Sequence, residues 1–185
     1  MQSISGVLTL PEEVMQFSRA AVCFPPMKSS ALIAFILKRI EGSLPWLEQQ
    51  CGKPNMAEFW QSAHKAASAS DLEAAIRPGL GKTGLMQFVE FDHGMIIRKG
   101  ADTHTSRMIR LVLGNPLIMK EMAKHVPDAG SYAPVTVLVD ERSDGVHVAY
   151  DRMASLLAPY ANDAALEVAR NLDAKVEDLL QQAAG

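Results

Sequence analysis

The stretch IRLVLGNPLIMKEMAKHV, residues 109–126, contains a change of secondary structure around which the rest of the chain is organised. Its first residues are mostly apolar, as in a buried strand. Gly114-Asn115-Pro116 follows, and a second apolar pattern begins after it. Asn115 is a favourable N-cap, Pro116 suits the first helical position, and Gly114 permits a sharp exit from the strand. The tripeptide therefore predicts a switch from strand to helix.

A helix that begins at the carboxyl end of a strand is a common position for a bound ligand. The unpaired amides and the helix dipole at such a position favour an anion. The sequence therefore predicts that a small, anionic molecule binds near Gly114, Asn115 and Pro116. The alternative is that Asn115 only caps its helix, as asparagine does in many proteins without any ligand.

Four segments around this switch have the composition or alternation of β-strands. They are LMQFVEF (85–91), MIRLVL (108–113), VTVLVD (135–140) and VHVAY (146–150). The polar turn ERSDG joins the last two segments as a hairpin. An amphipathic helix that begins at Asn162 or Asp163 follows. The sequence predicts an α+β fold over residues 78–185, in which helices pack on a small β-sheet.

The chain before residue 78 has a different pattern, and we predict that residues 1–77 form a mostly helical amino-terminal extension. Residues 3–10 are a candidate opening strand, and a helix is predicted over 11–19 because proline and two acids stand at its start. Ser30 is predicted to cap a second helix whose apolar residues run from Leu32 to Ile40. Shorter helical patterns occupy the remainder of this region.

Composition excludes several classes of function. The chain has 185 residues and a formal charge of −3, and it has no face rich in Lys and Arg, so no nucleic-acid partner is predicted. The apolar segment ALIAFILKRI (31–40) is too short to span a bilayer, so no membrane partner is predicted. Cys23 and Cys51 are too few for a disulfide framework and indicate a reducing compartment. We therefore predict a cytoplasmic protein.

The glycine-rich segment RPGLGKTG, residues 77–84, has part of the sequence of a phosphate-binding loop. The complete motif requires a glycine five positions before Gly81, where this chain has Ile76. The motif also follows a strand and begins a helix, whereas here a helix precedes the loop and a strand follows it. We interpret this segment as a connector.

Asp92, His93 and Tyr150 are the other candidates for chemistry, because each is predicted at the end of a strand. His93 is a candidate general base or anion partner near neutral pH, with Asp92 orienting it. The alternative is a histidine that makes one structural hydrogen bond. No histidine has a partner at the spacing typical of metal ligands, so no metal or cofactor is predicted. A haem or metal site assembled across the fold remains an open alternative.

Several of these motifs, in their order and spacing, resemble the DUF302 family. They are Phe91-Asp92-His93, Leu113-Gly114-Asn115-Pro116, PDAGSYAPVTVLV (127–139), Asp144-Gly145 and VHVAYDR (146–152). The resemblance covers residues 85–184. It implies an α+β fold and a homodimer, and it implies no established activity. The helical region before residue 78 exceeds the single strand and helix that are usual in the family.

Three functional hypotheses remain after these observations. In the first, a DUF302-like domain binds a small molecule between Asp92-His93, Gly114-Asn115-Pro116 and Tyr150. In the second, the protein is an enzyme that uses His93 and Asp92 as an acid–base pair. In the third, it is an interaction subunit whose amino-terminal helices bind a protein partner.

Overall fold

The computed structural model describes residues 32–37, 40–100 and 107–184, and its centre is a single antiparallel β-sheet. Within these ranges five strands pair in the order β1-β5-β4-β3-β2, where β4 and β5 form the predicted hairpin. The four strands predicted between residues 85 and 150 are all present. The strands are β1 (Leu32–Leu37), β2 (Met86–Asp92), β3 (Met108–Gly114), β4 (Val135–Arg142) and β5 (Gly145–Asp151).

Eight α-helices accompany the sheet within the described ranges, which confirms the predicted α+β fold. The long carboxyl-terminal helix begins where the sequence predicted, because the Asn162 side chain accepts a hydrogen bond from the Ala165 amide at 3.0 Å. None of the described helices is both long and apolar enough to cross a membrane. The helices are α1 (Ile40–Gln50), α2 (Met56–His64), α3 (Ala69–Ile76), α4 (His93–Gly100), α5 (Pro116–Ala123), α6 (Ala129–Tyr132), α7 (Met153–Leu157) and α8 (Asp163–Ala184).

The main hydrophobic core lies between one face of the sheet and the helices α1, α5, α7 and α8. Alternate residues of the strands point to this face, since side chains alternate along a strand. In the central row, Leu111 pairs with Val137 and Val137 with Tyr150, and all three are buried. The apolar stripe of α8 predicted from the sequence packs against this face of the sheet. Its buried residues are Ala165, Ala169, Leu172, Val176, Leu179 and Leu180.

A second, smaller core lies where α2 and α3 meet the start of β2. Phe59 of α2, Ile76 of α3 and Met86 of β2 are its buried centre. The helices that precede residue 78 therefore bury apolar surface against this chain's own sheet. The division of the chain at residue 78 remains a prediction.

One helix predicted in the amino-terminal region is wrong. The segment Leu32–Leu37 is a strand at one edge of the sheet, where it pairs antiparallel with β5. Its sequence LIAFIL suits a strand as well as a helix, and a neighbouring strand with a free edge decides between them. The strand predicted over 3–10, the helix predicted over 11–19 and Cys23 lie outside the described residues. Cys51 is a buried free thiol, and burial raises its pKa.

The glycine-rich connector packs against the loop that follows α1. The Thr83 amide and hydroxyl both donate to the Gln50 carbonyl, at 3.3 and 3.1 Å. Gly52 donates to the Leu85 carbonyl at 3.0 Å and accepts from the Gln87 amide at 2.7 Å. The two loops approach so closely that a Cβ atom on Gly81 would lie 2.3 Å from the Gln50 oxygen. The glycines of this connector therefore serve close backbone packing.

Candidate functional site

The predicted switch from strand to helix is present, and its polar groups are already paired. Gly114 ends β3, and Asn115 precedes α5 as its N-cap with extended backbone. The Asn115 side chain accepts a hydrogen bond from the Leu117 amide at 2.8 Å and donates one to the Gly84 carbonyl at 2.9 Å. Both ends of the carboxamide are therefore engaged within the protein. The second bond also links α5 to the glycine-rich connector.

A cavity of about 210 Å³ lies beside this switch, between α2, α5, α8 and the ends of β2 and β4. Its walls are almost entirely apolar, and among the described lining residues the Asn115 carboxamide and the Trp60 indole N–H are the polar side-chain groups. Two aromatic rings lie beside each other in its wall, with the Trp60 and Phe88 centroids 6.4 Å apart and the ring planes inclined by 32°. The lining residues are Trp60, Phe88, Gly114, Asn115, Pro116, Met119, Met122, Ala133, Pro134, Val135 and Leu172.

The chemistry of this cavity suits an uncharged molecule better than an anion. Among the residues that the structure describes, no lysine, arginine or histidine lines it. The Leu117 amide, one of the free donors expected at the start of α5, is capped by Asn115. An anion buried among apolar side chains without a cation or several donors loses far more hydration energy than it regains. Gly114, Asn115 and Pro116 thus lie together at this cavity, in an apolar setting.

Asp92 and His93 lie at the opposite end of β2 from the cavity. In the β2–β3 register Gly114 pairs with Met86, whereas Asp92 pairs with Ile109. On β3 these positions are five residues apart, which is about 17 Å along the sheet. The predicted site therefore does not assemble around Asp92-His93 and Gly114-Asn115-Pro116 together.

The Asp92 carboxylate is occupied by local structure rather than by His93. One oxygen accepts from the Met95 amide at 2.7 Å, which caps α4, and the other lies 3.4 Å from the Arg98 guanidinium. The His93 ring stacks on Phe91 with centroids 5.9 Å apart and planes inclined by 6°. Among the described contacts, no hydrogen bond joins Asp92 to His93.

Tyr150 lies in the main core and does not line the cavity. Only 1% of its surface is exposed, and its hydroxyl donates to the Asp173 carboxylate of α8 at 2.5 Å. Asp173 also accepts from the Met153 amide at 2.8 Å and the Ala154 amide at 2.9 Å. The carboxylate therefore joins the end of β5 and the start of α7 to α8. Tyr150 has a structural role in this arrangement.

The buried Tyr150 hydroxyl predicts that the protein loses stability at alkaline pH. Burial, followed by the charge of Asp173 and the hydrogen bond to it, raises the pKa of Tyr150 well above its usual range. An unfolded tyrosine loses its proton at about pH 10, whereas folded Tyr150 keeps it, so stability falls as the pH rises through that value. We expect urea unfolding to show this loss between about pH 9 and 11. Tyr150→Phe should show a smaller loss over the same range, and an equal loss in both proteins would contradict the assignment.

Most of the cavity wall could not be predicted from the sequence. Trp60 and Leu172 come from helices far from Gly114 in the chain, and no spacing rule brings them to it. The abundance of methionine was the one available signal, because flexible thioether side chains suit adaptable apolar sites. Met119 and Met122 do line the cavity. Within the described ranges, no three His, Cys, Asp or Glu side chains are grouped so that they could hold a metal ion.

Comparison with known proteins identifies a family but no activity. The family described as "Domain of unknown function DUF302" matches residues 60–183. The fold is similar to the crystal structure of an uncharacterized conserved protein DUF302 from Bacillus stearothermophilus, with a TM-score of 0.58 and 13% sequence identity. That similarity covers 83% of this chain and 98% of the other. No curated protein matches the sequence.

Proposed function

The chain belongs to the DUF302 family, whose description assigns no activity, and we propose from the cavity that it binds a small, uncharged, apolar molecule beside the Gly114-Asn115-Pro116 switch. The observation that carries the proposal is the apolar lining of a cavity of about 210 Å³. Close-packed protein interiors contain few voids larger than a water molecule. A space of this size and polarity is therefore suited to a ligand.

The cavity volume limits the size of the ligand. An engineered apolar cavity of about 150 Å³ stays dry and binds benzene. The present cavity is larger, so it has room for one aromatic ring with substituents or for two fused rings. Drug-sized ligands occupy pockets of roughly 300 Å³ or more, which is larger than this space.

Trp60 and Phe88 favour a flat ligand among the molecules of this size. Aromatic pairs gain about 0.5–1.5 kcal/mol beyond the burial of their area when they stack with an offset or meet edge to face. Trp60 is 43% exposed, so its ring forms part of the boundary between the cavity and solvent. A ligand that enters beside Trp60 covers part of that exposed ring. Trp60 fluorescence is therefore a direct reporter of binding.

The proposal is tested by comparing matched neutral and anionic probes. We expect benzene and indole to raise the melting temperature and to change Trp60 emission, because both fit the cavity without burying a charge. Benzoate has nearly the size of indole but carries a carboxylate, so it should bind at least tenfold more weakly, which is about 1.4 kcal/mol. Measurements in Trp46→Phe protein assign the emission to Trp60. Tighter binding of benzoate or phosphate than of the neutral probes would overturn the proposal.

Gly114→Ala tests whether the probes occupy this cavity. The added methyl group would lie 3.1 Å from the Pro134 Cβ and 3.4 Å from the Phe88 Cε2, both of which line the cavity. We expect the indole affinity to fall about tenfold. Gly130→Ala is the matched control, because its methyl group would meet nothing within 4 Å. Ala133→Leu narrows the same space from another wall and covers the case in which Gly114→Ala does not fold. Unchanged indole affinity in the folded variants would place binding elsewhere.

The other hypotheses receive less support from the arrangement of side chains. The acid–base alternative would use Asp92 and His93, but Asp92 caps α4 and contacts Arg98. The interaction-subunit alternative would use the helices before residue 78, but Phe59 and Ile76 of those helices are buried against β2. The predicted homodimer and the cytoplasmic location remain proposals.

A further inference from the structure

We infer that α2 and α3 form a lid over the cavity, which opens as a unit to admit the ligand while the sheet stays folded. We call residues 54–80 the α2–α3 lid. The inference rests on the function proposed above, because it concerns how a molecule reaches that cavity. Among the described lining residues, Trp60 is the one that belongs to the lid, and 43% of its surface is exposed. Movement of the lid therefore moves a part of the cavity wall that faces solvent.

The lid leaves and re-enters the rest of the fold at one fixed point. The Leu85 carbonyl accepts hydrogen bonds from the Gly52 amide at 3.0 Å and from the Gly81 amide at 2.9 Å. One carbonyl thus holds the chain at both ends of the lid. The bond from the Gln87 amide to the Gly52 carbonyl, at 2.7 Å, ties this base to β2. Because the two ends lie side by side, the lid can turn about its base without disturbing the sheet.

Between its two ends the lid is attached by apolar contacts. Among the described contacts, no hydrogen bond or ion pair joins residues 54–80 to the remainder of the chain. Phe59 and Ile76 are the buried residues of the lid, and they form the smaller core together with Met86 of β2. Opening the lid therefore exposes one small apolar cluster and leaves no described polar group without its partner.

The stability of the lid is expected to be lower than that of the sheet. The smaller core is a cluster separate from the main core, which lies between the sheet and the helices α1, α5, α7 and α8. Regions with few buried apolar contacts open locally at a lower free energy than the whole protein unfolds. Lids that close over binding sites belong to such regions and move in microseconds to milliseconds.

A lid of this kind controls the rates of binding rather than the affinity. A ligand enters and leaves through the open state, so both rates are proportional to the fraction of time that the lid is open. The affinity depends on the contacts made in the closed state. A substitution that weakens the attachment of the lid without touching the cavity should therefore raise both rates together and leave their ratio unchanged.

The test is the exchange of fluorobenzene between solvent and the full chain, measured by fluorine NMR exchange spectroscopy. Ile76→Ala is the test variant, because Ile76 anchors the lid and is not among the residues that line the cavity. We expect the entry and exit rates to rise together at least tenfold, while the Kd changes by less than about twofold. Ile76→Val removes one methyl group, should raise both rates about threefold, and covers the case in which Ile76→Ala does not fold.

Ile109→Ala is the matched control for the lid variant. It removes the same atoms from a buried position in the main core, at the opposite end of β3 from Gly114. This variant should lower overall stability but leave both fluorobenzene rates unchanged, and Ile109→Val is its milder form. Equal acceleration by the Ile76 and Ile109 variants would show that the rates follow overall stability, which would refute the lid.

Hydrogen exchange measured by mass spectrometry separates failure of the lid from failure of the proposed function. We expect the amides of α2 and α3 to exchange at least tenfold faster than those of β3 and β4, and fluorobenzene at about ten times its Kd to slow them about tenfold. Lid amides that exchange as slowly as the sheet, or bound fluorobenzene whose rates ignore both Ile76 variants, would overturn the lid and leave ligand binding in place. A protein that binds no fluorobenzene would overturn the proposed function, and the role of the lid with it.

Discussion

Asp173→Ala is expected to lower the free energy of unfolding by about 2–4 kcal/mol. The substitution leaves the Tyr150 hydroxyl and the Met153 and Ala154 amides without their acceptor, and each of these groups is buried or half-buried. A buried donor that loses its acceptor costs about 1–3 kcal/mol. Burial raises the pKa of Asp173, so removal of a desolvated carboxylate offsets part of this loss. Urea unfolding near pH 7 measures the difference.

Asp178→Ala is the matched control for this prediction. Asp178 lies on the same helix but on its exposed face, so its replacement should change stability by less than about 0.5 kcal/mol. The loss in free energy of unfolding for Asp173→Asn should lie between the losses for Asp173→Ala and Asp178→Ala. The oxygen of the asparagine amide still accepts hydrogen bonds, whereas its amino group has no acceptor nearby. A loss for Asp173→Ala as small as the control's would show that the three donors find other partners.

Gly52→Ala should destabilise the protein by about 2–4 kcal/mol. The added Cβ atom would lie 1.9 Å from the Gly79 oxygen and 2.9 Å from the Gly81 nitrogen. Both neighbours are backbone atoms, so no side-chain rotation relieves the contact, and the two loops must separate. Their separation breaks the bonds from Gly52 to Leu85 and from Gln87 to Gly52. Thermal unfolding and urea unfolding measure the loss.

Gly130→Ala again provides the comparison for a glycine replacement. Its added methyl group meets nothing within 4 Å, and it lies in the short helix α6, so stability should be unchanged or slightly increased. Unchanged stability in Gly52→Ala as well would mean that the connector and the loop after α1 are not in close contact.

Much of the local structure followed from residue patterns over short distances. The four strands between Met86 and Asp151 have runs of β-branched and apolar residues that suit a pleated sheet. Asn115 caps α5 and Asn162 caps α8, as their side chains predict wherever the chain turns into a helix. These features depend on neighbouring residues alone, so the sequence contains the information needed to predict them.

The errors of prediction concern segments whose structure depends on distant partners. Leu32–Leu37 has an apolar pattern compatible with both helix and strand, and pairing with β5 selects the strand. Helix α4 was not predicted from its sequence, HGMIIRKG. Its second residue is a glycine, and its apolar residues Met95, Ile96 and Ile97 are exposed. A pattern without a buried stripe gives no helical signal.

The amino-acid sequence by itself determined the strands β2 to β5, the helix caps at Asn115 and Asn162, the α+β class and the switch at Gly114-Asn115-Pro116, because each depends on the conformational preferences of adjacent residues. Only the tertiary structure decided what surrounds the switch. The packing of α2 and α8 brings Trp60 and Leu172 to Gly114 and makes the cavity apolar. The antiparallel register places Asp92 and His93 at the other end of the sheet. Burial and polarity at a site are sums over residues far apart in the chain, and local preference does not contain them.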